Sequence, residues 1–589
     1  MSRYNRIVAF VTIIVFLIAS TNGATTVNAQ AMDQNQVLKV AFLQDPISLN
    51  GIVKTWNPVG YTDAFILLKL VTYSPNFTIV GEAAQSWDTS SDGKSITFHL
   101  RQDVVWADGQ PFTSADVAWH YRMMLNGTSV TKSQLTDLTG ISTPDKYTVT
   151  FTFAKTRNYF NLIIPFGLFS TGADQFILPS HLYQGVANFA DNPVNTMMVG
   201  DGAFTVKQFV SGQYLDMVPN PHYFGPKPKA SEVIFSFPYT PSSASTALEG
   251  GRVDIVHDSV GIALPDLARF RNQTGISAEG WPYTTTWRMT FNFHAAGQYP
   301  WINNKLVRQA FSRAVDRDTI IKTVLGGLTV PEYGPISVTD KAWYDPQISK
   351  YTYDPAMANS LLDQAGYPKG SDGTRFSAPM AVYLSSLPFA QVIQQQLLAV
   401  GIKLTVTPVE DVTFFAQYET GPRGLDTYPI GLQTFGAGPL PANMFAWSNA
   451  AKFSPKGQNC GFYNNTQVNQ LEDQADSTLD TNQAHQLVNQ VQEIISADVG
   501  YVFLWAHWKI VAFKSNIAGV IQNSLPISWY GPGYRDVYRT GTSSMTSSTS
   551  MAQQTGLTST MPTIAIIIVV LLVVAGAVIA KRKKKTPSS

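Results

Sequence analysis

The chain has 589 residues, of which 44% are hydrophobic, 12% aromatic and only 14% charged; that is text for roughly three or four folding units around a large apolar core. Its single cysteine, Cys460, rules out an internal disulfide framework. The net charge of +1 hides an asymmetry: seven of the 41 Lys and Arg are Arg3, Arg6 and the run Lys581 to Lys585, so the rest of the chain carries 34 bases against 40 acids. A mildly acidic body without a basic run is no nucleic-acid binder.

In chain order, Met1 to Ala31 reads as a secretory signal, with Arg3 and Arg6 before the apolar run Ile7 to Ala19, and Ala24, Ala29 and Ala31 as small-residue cleavage points. Gln36–Leu43 follows as a first strand. Ser95–Arg101 and Tyr147–Phe153 alternate apolar and polar residues and read as half-buried strands. Between them Thr113, with Asp116 three residues on, opens a helix through Leu125. Asn304–Val315 has helical spacing, and Asp354-Pro355 starts a helix that Gly366 ends. Strand Met380–Leu384, helix Phe389–Val400 closed by Gly401, and strand Ile402–Thr407 form a βαβ unit. Two amphipathic helices, Thr466–Leu479 and Gln483–Ala497, lead into an aromatic strand from Tyr501.

The carboxyl end sets an address. Thr540 to Thr560 holds 13 Ser or Thr among 21 residues and reads as an extended stalk. Thr563 to Ala580 is an uncharged run of 18 residues, just long enough to cross a hydrocarbon core of ~30 Å. The basic tail after it points that end inward and everything before it outward. Asn76, Asn126, Asn272 and Asn464 begin Asn-x-Thr sequons, which agree with an external body.

Taken together, LKVAFLQDPISLN at Leu38, EAAQSWDTSSDGKSITFHLRQDVVWADGQPFTSADVAW at Glu82, GDGAFTVKQFVSGQYLDMVPNPHYFGPKPKASEVIF at Gly200, ALEGGRVDIV at Ala247 and NKLVRQAFSRAVDRDTI at Asn304 resemble extracellular solute-binding protein family 5, the oligopeptide-, dipeptide- and nickel-binding class of ABC importer receptors. The resemblance covers nearly all of residues 36–540. It implies an α/β fold, the periplasmic-binding-protein type II two-lobed clamp with an extra subdomain in the first lobe, to which the sequence adds one C-terminal transmembrane helix. Carried onto this chain, the first lobe combines 36–72, 191–282 and 506–540, the inserted subdomain is 73–190, and the second lobe is 283–505. Stalk, membrane helix and cytoplasmic tail are 541–560, 563–580 and 581–589. The charged residues Arg308, Arg313, Asp316 and Arg317 are expected to cap and pair locally rather than to form a catalytic site.

Such a clamp captures a solute outside the cell and hands it to permease subunits with their ATPases, without covalent chemistry, so no enzyme activity and no cofactor or metal is expected. The peptide-binding members carry an acid in the second lobe that pairs with the ligand's amino group. By that alignment Phe435 stands in its place, and no Asp or Glu occurs from Tyr428 through Gln470. The expected ligand contacts are therefore aromatic and amide side chains: Phe435 and Trp505 first, with Gln433, Asn292, Trp281, Trp287, Trp447 and Trp508. A peptide-like solute is the leading reading and an oligosaccharide the alternative. A secreted hydrolase or a surface sensor is the rival from another class. No GxSxG, HExxH, Walker loop or CxxC pattern supports hydrolysis. The resemblance to nickel-binding relatives makes His507, near Trp508, a metal-ligand candidate, but the eight histidines are scattered and a lone one is ordinarily a packed or surface residue.

Overall fold

The computed structural model describes residues 36–540 apart from 55–56, 75–77, 128–130, 169–172, 187–188, 420–424, 426–427, 437–440, 456 and 521–532. The secretory segment, the stalk, the apolar run 563–580 and the basic tail lie outside the described residues. Among the described residues, no helix is long and apolar enough to cross a membrane.

The strands are β1 (Val37–Ala41), the short pair β2 (Val71–Tyr73) and β3 (Ile79–Gly81), and then β4 (Ala84–Thr89), β5 (Ser95–Leu100), β6 (Leu138–Asp145) and β7 (Thr148–Phe153). After these come β8 (Phe204–Val210), β9 (Tyr214–Pro219), β10 (Glu232–Ser236), β11 (Ile255–Val256) and the long β12 (Ile276–Phe291). The set closes with β13 (Phe376–Tyr383), β14 (Ile402–Val409), β15 (Ile430–Gly436) and the long β16 (Tyr501–Lys514).

Local chemistry places most of these elements. The alternation of Ile96, Phe98 and Leu100 with polar neighbours gives β5 one buried face. The helix Ser114–Asn126 starts where Asp116 accepts the Thr113 N–H at 2.9 Å. Asp354 caps the helix Pro355–Gln364 by accepting the Met357 N–H at 2.9 Å. The helix Leu387–Ala399 ends before Gly401, whose φ of +90° a side chain would oppose. Asp316 accepts the Thr319 N–H at 3.0 Å, while the buried guanidinium of Arg317 donates to Phe503 O at 2.7 Å and that of Arg308 to Ile302 O at 2.8 Å. The Asp316 cap is local, as expected, but the arginines do not pair only with neighbours. Arg317 and Arg308 reach Phe503 and Asp498, far along the chain, because burial leaves their guanidinium groups to find backbone and carboxylate acceptors there.

One ten-stranded sheet runs through the molecule in the order β14-β13-β15-β12-β16-β11-β1-β10-β9-β8. β1 is parallel to β10 and β11, and β13 is parallel to β14 and β15. β12 is antiparallel to β15 and β16, and β16 is antiparallel to β11. Each half of the sheet buries its own apolar side chains. Leu38, Phe65, Phe98, Phe151 and Phe235 share one cluster, which fuses the separate sheet β4-β5-β7-β6 to the first half. Val307, Phe311, Met380, Ile393 and Leu432 share another on the second half.

Away from the long strands, the small sheet's loop reaches the second half of the molecule. Asn158 donates its backbone N–H to Asp476 O at 2.8 Å and its Nδ2 to Ala475 O at 2.5 Å. Those carbonyls belong to the last turn of the helix Thr466–Ser477, where intrahelical partners run out. Asn158 is thus a helix cap supplied from across the molecule.

Two buried acids make the fold pH-sensitive. Burial pushes the carboxyls of Glu332 and Glu472 up to about 8; Glu332 accepts N–H and O–H donors from Val338 and Ser337, and Glu472 accepts from Ser448. The folded chain keeps these protons to higher pH than the unfolded chain, which releases them near the ordinary carboxylate range. Stability from this source is full at low pH and falls as pH climbs towards about 8. Glu472→Gln is expected to flatten the decline of the melting temperature between about pH 5 and pH 8, as followed by thermal melts across that range; an unchanged slope contradicts the assignment.

Candidate functional site

The strand directions locate the site. β15 runs towards its carboxyl end at Gly436, which lies opposite Thr285 of β12. β11 runs the other way, with Val256 opposite Ala512 of β16, so the chain after it heads towards Lys509. The parallel strands of both halves therefore aim their carboxyl ends at the same stretch of β12 and β16 from opposite sides. In sheets of this type, ligands bind beyond the carboxyl ends of the strands.

That stretch is irregular. Pro282 pairs with Trp508 and Thr286 with Ala506, so Tyr283, Thr284 and Thr285 stand against His507 alone. A second shift follows, because Trp287 pairs with Trp505 and Arg288 with Phe503. Bulges of this kind bend a strand and loosen its ladder locally. They make 281–286 and 505–509, the hinge region, the least regular stretch of the ladder that joins the two halves of the sheet.

Aromatic rings line one face here. Trp287 lies near-parallel to Trp508 at 6.3 Å, and Phe389 meets Trp287 and Trp505 edge-on at 4.8 and 5.3 Å. The Trp287 indole donates to His507 Nδ1 at 3.0 Å, which leaves the imidazole proton on Nε2. Burial, reinforced by Lys509, lowers His507 to about 3, so the ring is neutral. Among the described residues, no group of three His, Cys, Asp or Glu side chains is placed to hold a metal ion.

The other face holds a charge pair. Trp281 stands opposite Lys509 in the ladder and so shares its face, and Lys509 reaches Tyr61 of the helix Asn57–Ile66 and Asp258, two residues beyond β11. Lys509 Nζ is 3.4 Å from Asp258 Oδ2 and 3.4 Å from the Tyr61 hydroxyl, with the Tyr283 ring centre at 5.7 Å. Burial alone would lower the lysine, but Tyr61, Asp258 and Tyr283 outweigh it and raise it above its ordinary value.

Of the eight side chains expected at the ligand, Trp281, Trp287, Trp505 and Trp508 come together at the hinge. Phe435 pairs through its backbone with Thr286, at the carboxyl end of β15. Trp505 is 0% exposed, so it forms the packed wall behind the cleft rather than its surface; trimming it to alanine opens a cavity costing about 3–5 kcal/mol. Gln433 and Trp447 lie in a buried layer under the second half. Gln433 donates to Cys460 Sγ at 3.1 Å, and Trp447 covers the Arg288 guanidinium at 4.0 Å while Tyr501 covers it at 4.4 Å. Asn292 sits at the far end of β12, six residues or about 20 Å from the hinge. Its amide donates to Tyr428 O at 3.1 Å and accepts the His294 N–H at 3.1 Å, which is a structural cap. Sequence reading missed Asp258, Lys509, Tyr61 and Tyr283. The available sign was a single lysine inside the apolar run of β16, flanked by Trp508 and Ile510.

Comparison with known proteins agrees with this geometry. Residues 78–457, more than half of the chain, match the family described as bacterial extracellular solute-binding proteins, family 5 Middle. The chain is 26% identical over 531 residues to a protein of Escherichia coli K12 named "Probable D,D-dipeptide-binding periplasmic protein", covering 88% of this chain and 97% of that one. Its fold is similar to an ABC transporter substrate binding protein from Listeria monocytogenes, with a TM-score of 0.73 at 20% identity over 86% of this chain and 99% of the other. It is similar in the same way to the oligopeptide-binding protein AppA of Bacillus subtilis in complex with a nonapeptide, with a TM-score of 0.69 at 20% identity over 86% and 99%. The chain belongs to the bacterial extracellular solute-binding proteins of family 5.

Proposed function

We propose that the chain is the solute-capturing subunit of an ABC importer, taking an oligopeptide-like solute outside the cell and delivering it to permease subunits with their ATPases. The observation that supports this most is the opposition of two carboxyl edges across a bulged pair of strands, which makes a cleft whose walls belong to different halves. The lobes are 36–72, 191–282 and 506–540 with the insert 73–190, against 283–505. The run 563–580 anchors the body at the membrane beneath the stalk.

Closure follows from differential affinity. A solute touching both walls favours the closed form over the open one, and only the closed form presents the composite surface that a permease reads. Micromolar binding, about −8 kcal/mol, suffices for capture. Nothing in this cycle needs a nucleophile or a cofactor. A second reading, an oligosaccharide solute, rests on the lack of any Asp or Glu from Tyr428 through Gln470 and on the aromatic hinge.

Two results are expected. In thermal melts of the full-length chain in detergent, a true solute raises the melting temperature by mass action, equivalent to about 2.7 kcal/mol at a hundredfold excess over Kd; a peptide and oligosaccharide panel without any shift contradicts the reading. Asn158→Ala removes one hydrogen bond between the halves without touching the cleft. It is expected to weaken solute binding about fivefold, the equivalent of ~1 kcal/mol, in titration calorimetry; unchanged affinity removes that contact from the closed state's stability.

A further inference from the structure

The hinge holds a group of buried polar atoms whose hydrogen bonds are incomplete. The Asp258 side chain is 0% exposed, yet among the described residues its Oδ1 accepts no hydrogen bond and its Oδ2 meets only the Lys509 ammonium, in a long ion pair of 3.4 Å. His257 Nδ1 lies 3.1 Å from Asp258 Oδ1, but it accepts the Ser259 N–H at 2.9 Å and therefore carries no proton towards the acid. Burial lowers His257 to about 4, so that ring is neutral and, among the described residues, Lys509 is the counter-charge that pairs with the acid. Lys509 in turn meets two oxygens among the described residues, Asp258 Oδ2 and the Tyr61 hydroxyl, both at 3.4 Å, which is long for an ammonium hydrogen bond. Opposite it in the ladder, the buried indole N–H of Trp281 has no acceptor among the described residues.

Buried polar groups without partners are costly, and a set of them converging at one place asks for an occupant. The occupant's chemistry follows from the atoms. Lys509 and Trp281 offer donors, so it must accept. Asp258 offers lone pairs, so it must also donate. An ammonium donates but cannot accept, and it would lie beside the Lys509 cation. A carboxylate accepts but cannot donate, and it would lie beside Asp258. A hydroxyl or an amide does both, and it is uncharged like the Asp258–Lys509 pair taken as a whole.

We infer that Asp258, Lys509 and Trp281 form a subsite for an uncharged donor–acceptor group of the solute, a hydroxyl or an amide, so that the part of the solute reaching the hinge carries neither a free amino nor a free carboxyl end. This rests on the solute-receptor reading and narrows it. The same chemistry comes from a peptide with its charged ends placed elsewhere or blocked, or from a sugar. Asp340 of the second half, an acid whose charge acts on Tyr73, already accepts the N–H groups of Ala342 and Trp343 at 3.2 and 3.3 Å.

The test is calorimetric titration of the full-length chain in detergent with three probes: a tetrapeptide library with free ends, the same library acetylated and amidated, and a mixture of glucose tetrasaccharides. Lys509→Met alone strands a buried carboxylate, so the variant of choice is the double change Asp258→Asn with Lys509→Met, accompanied by Trp281→Phe. Wild type is expected to bind the blocked peptides or the tetrasaccharides more tightly than the free-ended peptides, the first outcome naming an amide and the second a hydroxyl. The double variant is expected to lose about tenfold or more in that affinity while its melting temperature without solute stays near that of wild type, and Trp281→Phe to lose a smaller factor. A wild-type preference for free-ended peptides, or a folded double variant that binds like wild type, overturns the inference. Failure of all three probes to bind or to shift the melting temperature removes the receptor reading, and the subsite with it.

Discussion

Everything in this molecule depends on the ladder between β12 and β16. These two strands are the seam at which one sheet passes from the first set of apolar side chains to the second, with Ile276 to Pro282 paired on one side of the bulge and Thr286 to Thr290 on the other. Backbone hydrogen bonds fix the two strands to each other, and alternating side chains fix each end to a different core. Only the short unpaired stretch between them is free to bend without breaking either core.

Because the parallel strands on each side are read in opposite directions relative to this seam, both carboxyl edges meet at it. Side chains from distant segments meet there for a geometric reason, and not because any one segment encodes it. Asp258 comes from just beyond β11, Lys509 and Trp508 from β16, Trp281 and Tyr283 from β12 and Tyr61 from a helix. Far from the seam, Asn158 ties the small inserted sheet to a helix end of the other half. Separating the inserted sheet from that helix end would cost this contact.

Much of the architecture could be read from the residues. The alternating runs around Phe98 and Val149, the Thr113–Asp116 helix start, the βαβ unit ending in β14 and the long aromatic strand from Tyr501 are all present. β13 begins at Phe376, earlier than expected, because Pro379 within it is tolerated. The site was harder to read. Strict alternation puts Trp505 on the face of Tyr501 and Phe503, yet the shift beside Trp287 leaves Leu504 unpaired and turns Trp505 into the opposite core. Asn292 and Trp447 suited a binding surface by residue type, but the strand's length carries one away from the hinge and a buried arginine claims the other. Asp258 and Lys509 are 251 positions apart, and nothing local announces that they meet.

The central claim is that two rigid halves swing about this seam when a solute binds. Cys460 is buried, so cysteines introduced by Gln208→Cys and Ser360→Cys, both at exposed positions on opposite halves, can be spin-labelled selectively. The distance between the labels should be broad or long without solute and collapse to one shorter, narrow distribution when a solute identified by thermal shift is saturating. A distribution identical with and without that solute would contradict the account.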